Sequence, residues 1–153
     1  AAEALGPPAY RVGDLTGKLI HAAAGSRVKL RPYVEACFGT GSNTEKVQTR
    51  VVQDVTDRAD FGERLSLPFP DDAGVTRHVL SLRVFDARGL QAAIRGDPLI
   101  GEAALQLDEM DLGESHVRTL HLHRGGLPNQ GRLLVRIGVT APTADYDVLA
   151  RTA

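Results

Sequence analysis

Apolar residues recur at every second position through much of the chain, the spacing of half-buried β-strands. Leu80, Leu82 and Val84 alternate with Ser81 and Arg83 before Asp86 ends the run. Leu133, Val135, Ile137 and Val139 alternate with Leu134, Arg136 and Gly138. Leu65, Leu67 and Phe69 do the same around Ser66 and Pro68, and the proline predicts an edge or a strand that ends near Phe69. Shorter runs predict strands over Lys18 to Ala23, Tyr33 to Phe38, Lys46 to Val52, Pro98 to Leu107 and Val117 to Leu122. Turn-forming residues separate them at Gly39 to Asn43, Pro70 to Gly74 and Gly125 to Asn129. About eight strands with short polar connections predict an all-β, antiparallel sandwich or barrel. No long amphipathic helix and no internal repeat competes with that reading.

Composition narrows the picture. The 153 residues form one domain by the usual prior, expected over 14–141, with a flexible start over 1–13 and a polar tail over 142–153. With 18 Lys and Arg against 19 Asp and Glu, the balanced charge argues against a nucleic-acid partner. It leaves room for a local basic surface, because attraction depends on where charge sits. The single cysteine, Cys37, forbids an intrachain disulfide and favours a reducing, cytoplasmic setting. The stretch Ala1 to Gly13 does not read as a signal peptide, and no apolar run approaches the roughly 18 residues of a spanning helix.

Three stretches, in order, resemble the C2 domain between about Gly17 and Thr140. Arg31-Pro32-Tyr33-Val34 is similar to the family's Asp-Pro-Tyr-Val at the end of the first top loop. Phe61-Gly62-Glu63, followed by Leu65, Leu67 and Phe69, is similar to its Trp-Asn-Glu and alternating strand. The run from Leu80 to Asp86, then Leu99-Ile100-Gly101-Glu102, is similar to its fifth strand, third loop and sixth strand. The resemblance implies an eight-stranded antiparallel β-sandwich, with the circular-variant topology in which the first strand of the other form moves to the end. It also implies a non-catalytic module that meets membranes or proteins.

Relatives that hold calcium do so with aspartates from the first and third loops, since the ion takes six to eight oxygens. The corresponding positions here read Arg31 before Pro32, then Asp86-Ala87-Arg88, and Pro98 where a later aspartate is expected, with Asp97 one place early. Two carboxylates facing two permanently charged guanidinium groups cannot build that cage, so no metal or other cofactor is expected. The resemblance implies instead that loop cations meet anionic membrane lipids directly. Arg27, Lys29 and Arg31 lie in loop one, and Arg88 and Arg95 flank Leu90 and Ile94 in loop three. Leu90 and Ile94 are candidates for shallow insertion of a peripheral membrane module. A second, sparser lipid face would use Lys46 and Arg50, with Glu35 on the neighbouring strand opposing their charge. The rival expectation is docking to a protein partner or to neighbouring domains of a larger chain, through outward Val79, Phe85 and Leu134.

Catalytic chemistry is not expected. His121 and His123 share a strand face with His116 nearby, but no cysteine or carboxylate set completes a zinc site. Gly39 to Lys46 lacks the Gly-Lys-Ser/Thr ending of a phosphate loop and leads into a strand. Ser26 has no nucleophile elbow, and the acidic pairs Asp71-Asp72 and Asp108-Glu109 fall in turns.

Overall fold

The alternating runs become strands whose inward side chains meet face to face. The computed structural model describes residues 11–38, 46–69, 79–88, 96–107 and 113–140. Within them lie nine antiparallel strands: β1 Arg11–Ile20, β2 Pro32–Phe38, β3 Lys46–Gln48, β4 Ala59–Asp60, β5 Leu65–Pro68, β6 Val79–Asp86, β7 Leu99–Gln106, β8 Ser115–Arg124 and β9 Leu127–Thr140. One sheet runs β3-β2-β6-β7; the other runs β8-β9-β1, with β4 and β5 sharing the free edge of β1. The pair Glu102–His123 joins the sheets along one side. Since β4 and β5 occupy one position, the nine strands fill the eight places expected. The last strand lies between β8 and the first, as the circular variant requires.

The core is the space between the two sheets. Val34, Ala36, Phe38, Leu80, Leu82, Val84, Ile100 and Leu105 point inward from one sheet. Val12, Leu15, Leu19, Leu67, Leu122, Leu133, Val135 and Ile137 meet them from the other. A fully buried leucine or valine contributes about 1.5–3 kcal/mol, so these rows fix the register of every long strand.

The departures from the expected strands have local causes. β1 begins at Arg11, so residues Arg11–Gly13, expected in the flexible start, pair with β9 and β5. A bulge between Gly13 and Thr16, with Asp14 at a positive φ of 50°, breaks the alternation there. The buried residues consequently fall at Val12, Leu15 and Leu19, a spacing that does not read as a strand. β1 stops at Ile20, and Ala23–Ser26 form a 3₁₀ turn where a strand was expected to continue. β3 is shorter than expected because the Thr49 hydroxyl takes over. It accepts the Val34 N–H at 2.9 Å, the strand bends, and the chain then tracks β2 irregularly through Val52 N–H to Pro32 O at 2.9 Å. At the other end of the sequence, only Gly125 and Gly126 form the turn expected over Gly125 to Asn129. Leu127 to Asn129 belong to β9, where Pro128 is tolerated because β1 has already ended beside them.

Candidate functional site

Four connections leave the sandwich at one end: loop 1 (21–31) between β1 and β2, loop 2 (49–58) between β3 and β4, loop 3 between β6 and β7, described at 87–88 and 96–98, and the turn of the β8–β9 hairpin. Loops 1 and 3 do converge, and one buried carboxylate joins them. Asp86 is 3% exposed. Its Oδ1 accepts the backbone N–H of Arg31 at 2.9 Å. Its Oδ2, sealed from solvent, makes no directed hydrogen bond and is held by charge, with Arg88 Nη2 at 2.7 Å. Backbone bonds reinforce the joint: Ala87 N–H donates to Arg31 O at 2.9 Å and Asp86 N–H to Pro98 O at 3.0 Å.

Asp97 is equally committed. Its Oδ1 accepts the Arg88 N–H at 3.0 Å and its Oδ2 accepts the Tyr33 hydroxyl at 2.6 Å. Burial, then the Asp97 hydrogen bond and its charge, push the Tyr33 phenol well above the usual tyrosine range. The Tyr33 ring stacks on Phe85 with centroids 5.5 Å apart. Both surviving carboxylates therefore spend their oxygens on protein donors, and guanidinium groups stand where further carboxylates would be needed. These residues do not fit a calcium ion. Among the described residues, no group of three or more His, Cys, Asp or Glu side chains is placed to hold a metal.

The remaining predicted residues divide clearly. Arg31 and Arg88 sit together at the Asp86 joint, and Arg31 Nε reaches across to loop 2, donating to Gln53 Oε1 at 3.0 Å. Arg27 and Lys29 are exposed on loop 1, and neither has an ion-pair partner among the described residues. Leu90, Ile94 and Arg95 lie outside the described residues. Lys46 and Arg50 do not form one patch. Lys46 lies on β3, 3.9 Å from Glu35, whereas Arg50 lies beyond the strand end, bound to Glu63 through Nε at 3.6 Å and its own N–H at 2.9 Å. The sheet face carrying Lys46 continues as alternating charge, with Glu35 opposite Arg83 and Arg83 Nε 3.2 Å from Glu102.

Sequence reasoning passed over the exposed apolar residues at this end. Among the described residues the exposed large hydrophobic side chains are Val28, Val51, Val117 and Leu127. Val28 tips loop 1, Val51 lies in loop 2 and Leu127 follows the hairpin turn; Val117 alone lies away, opposite Arg136 on the outer face of the second sheet. Val28 was legible in the run Arg27-Val28-Lys29, an apolar residue between two cations. Val79, Phe85 and Leu134 do point outward but are half-buried, and His121 and His123 are exposed on β8. Cys37 is buried in β2.

Loop 1 is held as a rigid projection. Leu30, fully buried, bridges Val55 through two backbone hydrogen bonds of 2.6 and 2.9 Å, and Ala22 N–H donates to Asp57 O at 3.0 Å. Gly25 lies so close to loop 2 that a Cβ there would meet the Thr56 carbonyl oxygen at 1.9 Å. From Ala22 to Lys29 the loop is therefore anchored at both ends and presents Arg27, Val28 and Lys29 outward.

An antiparallel two-sheet sandwich with connecting loops gathered at one end offers a rigid scaffold with variable tips. A family model for the C2 domain matches residues 13–122, and the chain belongs to that family. Domains of this kind are commonly non-catalytic modules of membrane or protein interaction. No curated protein matches the chain as a sequence relative. Among solved structures, the C2A domain of plant Extended Synaptotagmin 1 is similar at a TM-score of 0.68 and 18% identity, covering 88% of this chain and 97% of that one. Human GIVD cytosolic phospholipase A2, in complex with methyl gamma-linolenyl fluorophosphonate, is similar at 0.68 and 14% identity, over 89% of this chain but only 18% of the enzyme. A further C2 domain-containing protein is similar at 0.63 and 18% identity, covering 91% and 93%. No helix among the described residues is long and apolar enough to cross a membrane.

Proposed function

We propose that this domain is a non-catalytic, peripheral membrane-targeting module that docks by its loop end onto anionic phospholipids without calcium, on the cytoplasmic side of a membrane. The observation that carries the proposal is loop 1: Val28, 45% exposed, stands between two cations that no acidic side chain among the described residues neutralises. The whole loop from His21 to Arg31 contains no acid. Fixed cations at the tip attract lipid phosphates, and a small apolar side chain between them enters the headgroup boundary. Arg31 adds positive charge behind the tip, whereas the charge of Arg88 is already matched by Asp86 at 2.7 Å. Calcium has no role in this reading, because Asp86 and Asp97 are already used in holding the loops.

The test is co-sedimentation with phosphatidylcholine vesicles, with and without phosphatidylserine, in calcium or in chelator. Binding is expected only to the acidic vesicles, equal in calcium and chelator, and weakened by added salt. Each cation near an anionic surface contributes about 1 kcal/mol, so replacing Arg27 and Lys29 by glutamine should weaken partitioning roughly 30-fold. Retention of full binding by that double variant would remove loop 1 from the interface. Failure of the wild type to bind any acidic vesicle would favour the protein-docking alternative instead.

A further inference from the structure

The β8–β9 hairpin belongs to the same end of the molecule as the loops and outruns β1 there. The last residue of β1, Ile20, pairs with Arg132, and beyond that row the hairpin continues past the end of β1 through Leu122–Gly131 to Arg124–Leu127, with β7 beside it at Glu102–His123. Three further residues of β8 at about 3.3 Å each carry the tip about 10 Å beyond the end of β1. The turn is Gly125-Gly126 with a positive φ of 59° at Gly125, the position where a tight hairpin demands glycine.

The base of this projection is braced on both sides. Gly131 lies against the backbone of Ile20, His21 and Ala22, where loop 1 begins. Gly101 at the start of β7 comes so close that a Cβ would lie 2.8 Å from Leu122 Cβ and 3.5 Å from Gln130 Cβ. At its tip Leu127 is 53% exposed beside the exposed Arg124. From His121 to Arg132 the hairpin carries no acid and four basic side chains: His121, His123, Arg124 and Arg132. Loop 2, by contrast, carries Asp54 and Asp57. Loop 1 leans onto loop 2 through Gly25 and meets the base of the hairpin at Ala22, and the hairpin borders β7 on its other side. The two acid-free, apolar-tipped projections are therefore neighbours at the end of the sandwich.

We infer that the β8–β9 hairpin is a second membrane-contacting arm, with Leu127 entering the headgroup boundary of an anionic bilayer and Arg124 meeting its phosphates. This rests on the membrane reading above and deepens it: a second point of contact beside loop 1 constrains the tilt of the domain, which loop 1 alone cannot. Charge complementarity to an acidic lipid surface selects the occupant, since the arm offers cations and one apolar tip rather than an apolar groove.

The chain has no tryptophan, so a single introduced indole reports its own position. Leu127→Trp, Val28→Trp and Val117→Trp all replace exposed side chains and leave the core untouched. On phosphatidylserine-containing vesicles the emission of the first two should shift to the blue and be quenched by lipids brominated high on the acyl chain. Val117→Trp should not respond. Leu127→Ser should lower partitioning roughly tenfold, the loss expected for a leucine about half transferred from water. A shift for Val28→Trp without one for Leu127→Trp, in protein that still sediments with vesicles, overturns the second arm and leaves the membrane reading standing. An equal response from Val117→Trp means binding through the sheet face and also overturns it. Loss of vesicle binding by the wild type removes both.

Discussion

Replacing Asp86 by alanine tests whether that carboxylate is a structural joint or an idle remnant. The substitution removes the acceptor of the Arg31 N–H, held at 2.9 Å, and the counter-charge of Arg88 at 2.7 Å. The Arg31 N–H is only partly shielded, so water can replace its partner, and that loss is about 1 kcal/mol. Breaking a fully buried ion pair costs about 3–5 kcal/mol, but the Arg88 side chain is 38% exposed and the carboxylate's own desolvation is recovered, so about 1 kcal/mol is appropriate. The sum, about 2 kcal/mol, corresponds to a fall of about 8 °C in Tm for a domain of this size. Thermal unfolding followed by circular dichroism in chelator measures it. Asp86→Asn, which keeps an acceptor, should fall between. A cycle with Arg88→Ala should return a coupling of about 1 kcal/mol. If the carboxylate were instead a calcium ligand, Asp86→Ala would leave the metal-free protein unchanged. A site binding at about 10 µM would then stabilise the wild type by about 2.7 kcal/mol in about 1 mM calcium. A loss below about 0.5 kcal/mol in chelator, or a calcium-dependent rise in the wild-type Tm, refutes the reasoning.

Three further outcomes follow from the same geometry. Gly25→Ala should destabilise by about 2 kcal/mol or more in thermal unfolding, because its Cβ would sit 1.9 Å from a backbone oxygen that cannot rotate away. In an ultraviolet titration Tyr33 should ionise late, above the ordinary tyrosine range. Its raised pKa makes its contribution to stability complete below about pH 10 and lost as pH climbs through the folded value. Tyr33→Phe should abolish the late component, whereas Asp97→Asn should only advance it, because burial is the larger cause. Replacing Lys46 and Arg50 together by glutamine should change partitioning onto acidic vesicles less than about twofold, since Glu35 and Glu63 already neutralise them. A larger loss would move lipid onto the sheet face.

The strands that a reader of the sequence finds are those where packing alone sets the pattern. In β6 and β9 every second side chain is buried, and the alternation from Leu80 to Val84 and Leu133 to Val139 states it directly. β1 was recoverable only in its second half, because the bulge at Gly13–Thr16 shifts the inward face. β4 has two residues, too few for any period to register. At the site, the spacing of Arg31, Asp86 and Arg88 carried the joint, since the family's pattern places those positions together. What the spacing could not carry was direction. Lys46 and Arg50 read as a pair of cations, and only the fold brings Glu35 and Glu63 to them. Leu127 read as a turn residue, because nothing local says that β9 outruns β1.

The same arrangement shows how side chains of the protein alone can join loops 1 and 3. A bound divalent cation would draw the aspartates of loops 1 and 3 together; here Asp86 is drawn to Arg88 and to the Arg31 backbone, while Asp97 is drawn to Tyr33 and the Arg88 backbone. The cation is supplied covalently, so the loops are joined whatever the ionic conditions. In the proposed reading a joint of that kind leaves calcium nothing to switch, and control of docking would fall to whatever changes the surface charge opposite Arg27 and Lys29. Under the membrane reading proposed above, lipid composition would be the variable to which this surface responds, through the number of phosphates its two acid-free projections can reach.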